Sequence, residues 1–170
     1  GKPEKTLKQS EVKVDVTYTT PSQSNMPMEP HSSLARWFEG KLTLHTSNQM
    51  LASSKIQLAK ALDIPEDDVR LLSPYVGGGF GSKLGIPPES VMAAIAAKDL
   101  KRPVLVNMTR PQVMETTVRR TNTEQRVALG ADKDGKIHTI IHNSIVTNLP
   151  SETFFEPVAV STHFLYGGDN

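Results

Sequence analysis

The segment with the most evident capacity for chemistry is the glycine-rich stretch at 76–83, which reads VGGGFGSK. Glycines let a backbone approach a ligand closely and adopt a positive φ without strain. A run of free N–H groups can hold an anion, and Phe80 in the middle offers a flat apolar wall. The segment predicts a ligand-binding loop, with a flexible surface turn as the alternative, because glycine runs are common in loops.

Two known phosphate-binding motifs fit this segment poorly. The P-loop has Gly-Lys-Ser/Thr at the start of a helix, whereas here Ser82 precedes Lys83 and the pair Pro87-Pro88 delays the helix. The dinucleotide fingerprint G-x-G-x-x-G lacks its last glycine, because Leu84 stands there. The residue pattern by itself leaves the ligand of the segment open.

Metal-binding and nucleophilic groups are sparse elsewhere in the sequence. The chain has no cysteine, which excludes disulfides, zinc fingers, protein-bound iron–sulfur clusters and a cysteine nucleophile within it. His138 and His142 fall on a predicted strand, where positions four apart lie roughly 13 Å apart and cannot share one metal. Arginines between 110 and 126 predict a solvated basic face, with an anion site as the alternative. Three glutamates show no evident catalytic pairing: Glu29, Glu115 and Glu124.

The elements that must position the glycine-rich segment follow from hydrophobic periodicity. Alternation over 11–18 predicts a strand that is half-buried through Val12, Val14 and Val16. The other predicted elements are a hairpin of 33–38 and 41–46, a helix over 49–62, a strand over 69–72, a helix over 89–100, a strand over 104–108 and a hairpin of 123–131 and 136–146. Residues 1–10 are expected to be a disordered lead-in. The pattern indicates an α+β fold in two layers, with a mixed β-sheet and two main helices.

Composition adds bounds on size and on partners. A chain of 170 residues suits one domain or at most two small ones. A net charge of +1 gives no electrostatic reason for a nucleic acid or a membrane surface as partner. No stretch is long and apolar enough to span a bilayer, so we expect a soluble chain. The sequence leaves its compartment open between cytoplasm and periplasm.

Several short motifs, taken in order, resemble a known family. They are PMEPH at 27–31, ARW at 35–37, LTLHTSNQ at 42–49, LAKALDIP at 58–65, VR at 69–70, GGGFGSK at 77–83, RPV at 102–104 and MTR at 108–110. Their order and spacing resemble the molybdenum-cofactor-binding subunit of the xanthine dehydrogenase and aldehyde oxidase family, from about Val14 onward. Ser82 departs from the family pattern, which usually has another glycine there.

The resemblance implies a molybdenum hydroxylase. In this family a pterin dithiolene holds the molybdenum, so a chain without cysteine can still be part of a metal enzyme. The implied cofactor is molybdopterin, in its cytosine dinucleotide form, while FAD and [2Fe-2S] clusters reside in partner subunits or domains. The implied reaction hydroxylates an aldehyde or a heterocycle such as xanthine with oxygen from water, and passes electrons to the iron–sulfur and FAD partners.

The resemblance also implies roles for particular residues. Gln49 matches the glutamine that hydrogen-bonds the apical oxo ligand of molybdenum. Gln49 and Phe80 are the two catalytic residues that the resemblance implies for this chain. The cofactor-binding loop is expected at Gly78, Gly79, Phe80 and Gly81, with no protein side chain as a direct ligand of the metal.

Substrate preference and completeness are further expectations from the resemblance. Leu84 stands in the substrate pocket where purine-hydroxylating members have a glutamate, which favours an aldehyde or another aromatic heterocycle over xanthine. The family's catalytic glutamate and an arginine-bearing cofactor loop lie further along the subunit. We therefore expect 11–170 to be the N-terminal part of the molybdenum-cofactor-binding domain, completed by the remainder of the subunit and inactive alone.

Two other hypotheses remain open at this point. One is a non-catalytic α+β module whose glycine-rich loop binds an anionic nucleotide or a partner protein, and the other is a family member that has kept the fold and lost the chemistry. The first gives no reason for Gln49 at family spacing from Phe80. If the cofactor site exists, Gln49 and Phe80 should lie on the same rim of the fold and face one cavity.

Overall fold

The computed structural model describes residues 1–148 and 158–166, and it confirms the α+β class. Its strands are β1 (Val12–Thr20), β2 (Gln23–Ser24), β3 (Ser32–Phe38), β4 (Lys41–Thr46), β5 (Val69–Leu72), β6 (Val104–Asn107), β7 (Arg119–Arg120), β8 (Thr123–Ala131) and β9 (Ile137–Val146). Its helices are α1 (Pro3–Gln9), α2 (Leu51–Leu62), α3 (Pro88–Leu100), α4 (Arg110–Thr116) and α5 (Val158–Tyr166). None of these described helices is long and apolar enough to cross a membrane.

The chain divides into two compact units, and the larger one comprises residues 24–119. It contains a mixed four-stranded sheet in the order β5-β4-β3-β6. β3 and β4 form the predicted hairpin, and Glu39 and Gly40 at its turn have φ values of 49° and 78°, as a type I′ turn requires. β5 lies parallel to β4, whereas β6 is antiparallel to β3.

Helices α2 and α3 contribute, with the sheet, the main core of the larger unit. Alternate residues of β3 and β4 are buried, which gives the sheet one apolar face. Small side chains of α3 let this helix approach β3 closely, and Trp37 Nε1 donates to the carbonyl oxygen of Ala94 at 2.8 Å. The fully buried apolar side chains of this core are Ala35, Leu42, Leu44, Leu58, Ala59, Val69, Ala93, Ala94 and Ala97.

The smaller unit comprises 1–23 and the described residues from 120 onward. Its sheet is antiparallel in the order β1-β8-β9, and β8 and β9 form the predicted second hairpin. The prediction of a disordered lead-in over 1–10 is wrong, because Pro3–Gln9 forms α1. Pro3 suits the first helical turn, and Leu7 is buried in a small cluster with Ala128 and Ile141.

The prediction that β1 is half-buried through its valine face is also wrong. The strand forms and alternates as predicted, but Val12, Val14 and Val16 are 51%, 50% and 38% exposed. The opposite face of the sheet is the covered one, because the register pairs Asp15 with Ala128, which contacts Leu7 of α1. Periodicity of two separates the faces of a strand but does not say which face a helix covers.

Candidate functional site

Sheet topology brings Gln49 and the glycine-rich segment to one edge of the larger unit. β4 and β5 are parallel neighbours, so their carboxyl ends lie at the same edge. Gln49 follows β4, and the segment 77–83 follows β5. A direct hydrogen bond joins the two connections, since the amide of Asn48 donates to Ser73 Oγ at 2.9 Å.

The side-chain amide of Gln49 is tied to the backbone of this segment. Its Oε1 accepts hydrogen bonds from the amides of Gly81 at 3.1 Å and Lys83 at 3.3 Å. The backbone N–H of Gln49 donates to the carbonyl oxygen of Lys83 at 2.8 Å. Because both side-chain bonds use Oε1, the NH₂ group is the remaining polar group of this amide, and it can only donate.

Phe80 lies in the same loop and is 67% exposed. Phe80 has a φ of 54°, and its neighbour Gly81 has a φ of 95°. The structure therefore places Gln49 and Phe80 at the same edge of the unit, as predicted. That they face one cavity stays a prediction.

The internal hydrogen bonds of the loop restrict which of its amides can reach a ligand. The amide of Gly77 donates to Glu29 Oε2 at 2.7 Å, and that of Ser82 to the carbonyl oxygen of Gly79 at 3.0 Å. The amides of Gly81 and Lys83 are bonded to Gln49. Among the described residues, the amides of 78–80 have no internal hydrogen bond, and since Gly79 is buried, Gly78 and Phe80 are the backbone donors left for a ligand. Any role of Gly81 rests on close approach of its backbone to the ligand.

Gly79 is one position where the packing of the loop requires glycine. A Cβ added there would overlap the side-chain amide of Gln49. We expect Gly79→Ala to displace that amide and to lower the free energy of unfolding of the larger unit by about 1–3 kcal/mol. Trp37, the single tryptophan of the chain, reports this unfolding through its fluorescence in urea.

Gly85→Ala is the matched control for that substitution. A Cβ at Gly85 would meet only Gln57 Oε1, at 3.1 Å, so this side chain needs to shift by only a few tenths of an ångström and is not displaced. The control is expected to unfold within about 0.5 kcal/mol of the unsubstituted chain. Equal losses for the two variants would contradict the tight packing of Gly79 against Gln49.

A buried ion pair lies beneath the loop, and no sequence signal predicted it. The side chain of Lys83 is 0% exposed, and its ammonium donates to Glu29 Oε2 at 2.8 Å and to Ser47 Oγ at 3.2 Å. Partial burial raises the pKa of Glu29, but hydrogen bonds from Lys83, Ser47 and the Gly77 amide outweigh it and hold this pKa below its ordinary value. The carboxylate is therefore ionised at neutral pH.

The segment that carries Glu29 is itself fixed from the other side. Arg110, the first residue of α4, donates to the carbonyl oxygens of Pro27 at 2.6 Å and Met28 at 2.8 Å. Helix α4 was not among the predicted elements, although its Thr109-x-x-Gln112 spacing is a capping-box signal. Gln112 Oε1 accepts the backbone N–H of Thr109 at 2.8 Å.

A second buried polar group contacts the loop through Ser82. Ser82 Oγ donates to the carbonyl oxygen of Gly79 at 2.8 Å, and His31 Nε2 lies 3.2 Å from the same Oγ. His31 Nδ1 lies 3.7 Å from Oε1 of Glu89, and both side chains are buried. Burial and the nearby charge of Lys83 lower the pKa of His31 to about 4, and burial raises the pKa of Glu89 to about 7.

The other candidate residues from the sequence lie outside the loop, and two of them, His138 and Arg126, form ion pairs within the smaller unit. Leu84 directly follows the loop and is half-buried. In the smaller unit His138 pairs with Asp132 at 3.3 Å. The described residues contain no group of three or more metal-ligating side chains. The anion site considered near Arg126 is not favoured, because Glu4 and Asp15 already neutralise this guanidinium at 2.6 Å and 2.7 Å.

Comparison with known proteins identifies the family. A sequence model of the molybdopterin cofactor-binding domain matches residues 1–168 of the chain. The chain belongs to this family. The motifs of the sequence predicted a molybdenum-cofactor-binding domain, and this match confirms that prediction.

Two curated relatives show the range of similarity to this molybdopterin-binding domain. The aldehyde oxidoreductase molybdenum-binding subunit PaoC of Escherichia coli (strain K12) is 48% identical over 159 residues, which are 94% of this chain and 22% of that protein. The putative xanthine dehydrogenase molybdenum-binding subunit XdhA of the same organism is 31% identical over 139 residues, which are 81% of this chain and 18% of that protein. The chain thus spans about a fifth of the length of these relatives.

Solved structures share the fold of the molybdopterin-binding domain. The aldehyde oxidoreductase of Desulfovibrio gigas superposes with a TM-score of 0.78 at 25% identity, over 84% of this chain and 16% of that chain. Quinoline 2-oxidoreductase of Pseudomonas putida 86 gives a TM-score of 0.76 at 26% identity, over 86% of this chain and 20% of that one.

The residues of the loop fit a molybdopterin. Gly79 is buried directly against the side-chain amide of Gln49, which helps to hold that amide in place. The backbone amides of Gly78 and Phe80, which make no hydrogen bond within the described residues, suit the anionic phosphate of such a cofactor. The NH₂ group of Gln49 suits an oxygen ligand that accepts hydrogen bonds.

Proposed function

We propose that Gln49 and residues 78–81 of the glycine-rich loop form part of the molybdopterin site of a molybdenum hydroxylase that oxidises aldehydes. The observation that carries this proposal is the orientation of the Gln49 side chain. Two loop amides bond its Oε1 and leave its NH₂ group as the donor. An oxo ligand of molybdenum accepts hydrogen bonds and cannot donate them, so a fixed donor is the group that it requires.

The residues of this chain would bind and shield the cofactor. When bound, the molybdenum cofactor supplies the oxidation of the substrate carbon and the transfer of oxygen from water. Gln49 donates to an oxygen of the cofactor, and the backbone amides of Gly78 and Phe80 are the loop donors left for it. The exposed ring of Phe80 provides an apolar wall that excludes water beside the metal.

An aldehyde is the substrate class that the chain supports best. Leu84 carries no group that could hydrogen-bond a purine ring, in contrast to the glutamate implied for purine-hydroxylating members. The relative at 48% identity is named an aldehyde oxidoreductase subunit, whereas the relatives named for xanthine or hypoxanthine are 31% identical. Both observations favour an aldehyde over a purine as the substrate.

Other parts of the assembly complete the proposed enzyme. We propose the cytosine dinucleotide form of the cofactor, and electron transfer to [2Fe-2S] and FAD partners in other subunits or domains. The remainder of the molybdenum subunit supplies the catalytic base and the rest of the cofactor site, so the 170-residue chain alone does not turn over aldehydes.

Gln49→Ala in the full-length molybdenum subunit tests this function. We expect turnover of an aromatic aldehyde to fall at least about tenfold, because a hydrogen bond to a charged or strongly polar group contributes about 1.5–3 kcal/mol. Gln57→Ala is the control, since Gln57 lies on α2 and its Oε1 accepts the amide of Ile86 at 3.1 Å, outside the loop 78–81. Unchanged kinetics in Gln49→Ala, with the molybdenum content measured alongside, would remove the role assigned to Gln49.

A further inference from the structure

The two ends of the glycine-rich loop meet at one carboxylate. The amide of Gly77, at the start of the loop, donates to Glu29 Oε2 at 2.7 Å. The ammonium of Lys83, at its end, donates to the same oxygen at 2.8 Å. A second bond reinforces the first contact, because the amide of Glu29 donates to the carbonyl oxygen of Gly77 at 3.1 Å. The carboxylate therefore closes the loop at its base.

Charge and burial make this closure specific to an acidic side chain. The ammonium of Lys83 is fully buried, and a buried cation requires an anionic partner. Its other acceptors are neutral, namely the carbonyl oxygen of Glu29 and the hydroxyl of Ser47, each at 3.2 Å. The segment that carries Glu29 is fixed by Arg110, so the carboxylate acts from a held position.

Loop closure determines the orientation of Gln49. The backbone of Lys83 both donates to Gln49 Oε1 and accepts from the Gln49 amide, and Gly81 supplies the other bond to Oε1. We propose that Glu29 is a positioning residue, whose carboxylate joins the ends of the loop and thereby fixes the backbone donors that orient the Gln49 side chain. The importance of that orientation for cofactor binding rests on the proposed function.

Glu29→Gln in the full-length subunit tests this role, with hydrogen exchange of the peptide 79–84 as the readout. In this peptide the backbone amides of Gly81 and Lys83 donate to Gln49 and make no bond to Glu29. Their exchange therefore changes only if loss of the carboxylate alters the conformation of the loop. We expect their exchange to accelerate about tenfold or more and the molybdenum-to-protein ratio to fall. Glu11→Gln is the matched control, because Glu11 pairs with Lys133 in an exposed ion pair at 3.5 Å.

The outcomes separate the two proposals. Faster exchange at Gly77 with unchanged exchange over 79–84 would overturn the positioning role. Faster exchange over 79–84 with unchanged molybdenum content would support the positioning role and contradict the proposed function. Loss of molybdenum with unchanged exchange over 79–84 would again overturn the positioning role.

A double variant distinguishes positioning from a purely structural contribution. Glu29→Ala combined with Lys83→Met removes the buried charge together with its partner, so the larger unit should regain most of the stability lost in Glu29→Ala. Exchange over 79–84 should stay fast, because the two bonds by which the Glu29 carboxylate joins the ends of the loop are then both absent. Recovery of slow exchange together with stability would show that Glu29 only neutralises Lys83, and would overturn the proposal.

Discussion

Glu29→Ala is expected to lower the free energy of unfolding of the larger unit by about 3–5 kcal/mol, the range for removing one partner of a buried ion pair. The substitution leaves the ammonium of Lys83 at 0% exposure with only neutral acceptors. Desolvation of that unpaired charge is the physical reason for the loss.

Lys83→Met is expected to have the smaller effect, although it removes the same ion pair. The Glu29 side chain is 37% exposed and keeps its hydrogen bonds from Ser47 and the Gly77 amide, so water and these donors still solvate the carboxylate. Methionine also fills much of the space of the lysine stem. We expect a cost of about 1.5 kcal/mol, close to that of one lost charged hydrogen bond.

Fluorescence of Trp37 during urea denaturation measures both variants. Trp37 packs against the core of the unit that contains Glu29 and Lys83, so its signal follows that unit. The expected order of stability is unsubstituted chain, Lys83→Met, then Glu29→Ala. Equal losses in the two variants, or a larger loss for Lys83→Met, would contradict the assignment of Lys83 as the buried member of the pair.

Local patterns predicted most elements of this fold, for a reason that particular residues make clear. The hairpin of β3 and β4 follows from alternation and from Glu39-Gly40 at the turn, both of which act within a few residues. The wrong prediction for the faces of β1 arose because a distant element decides which face is covered. Leu7 docks α1 on the sheet face that carries Asp15, and nothing in the local sequence of β1 specifies this.

The same distinction applies to the candidate site. Gln49 and Phe80 could be predicted because their motifs resemble a family, and the parallel pairing of β4 with β5 explains why they meet. The ion pair of Glu29 with Lys83 could not, since its members are 54 positions apart and each has an ordinary local context. Glu89 likewise has the sequence context of an exposed first-turn acid, whereas packing buries it.

The buried pair of His31 and Glu89 is expected to exchange a proton internally when the larger unit folds. In the unfolded chain between pH 4.5 and 6.5, the imidazole is protonated and the carboxyl ionised. In the folded chain burial lowers the pKa of His31 to about 4 and raises the pKa of Glu89 to about 7, so both groups are neutral. Folding thus moves one proton from His31 to Glu89, with no net uptake by the pair.

Opposite pH dependences follow for the two members of this pair. Glu89 binds its proton more tightly when folded, so its contribution to stability is present below pH 4.5 and is lost as pH rises through about 7. His31 binds its proton less tightly when folded, so its contribution is present above pH 6.5 and is lost as pH falls through about 4. Each contribution amounts to about 3 kcal/mol, and their opposite pH dependences nearly cancel between these limits, so the sum of the two stays almost constant.

Glu89→Gln separates the two contributions. The difference in unfolding free energy, variant minus unsubstituted chain, is expected to rise by about 3 kcal/mol between pH 4.5 and pH 7, because only the carboxyl group has been removed. His31→Asn should give a difference that falls by about 3 kcal/mol between pH 4 and pH 6.5. Trp37 fluorescence in urea over this pH range measures both curves.

Difference curves are needed because charged neighbours also titrate or act on the pair. Lys83 faces both groups, and Glu29 acts on His31, but these residues are common to variant and parent and cancel in the difference. Neither carboxyl oxygen of Glu89 has a hydrogen-bond partner among the described residues, so the amide introduced by Glu89→Gln would take over no existing bond. A flat difference curve for this variant would mean that the carboxyl of Glu89 titrates alike in both states. The predicted transfer of a proton from His31 to Glu89 would then be wrong, and so would the conclusion that both buried side chains are neutral.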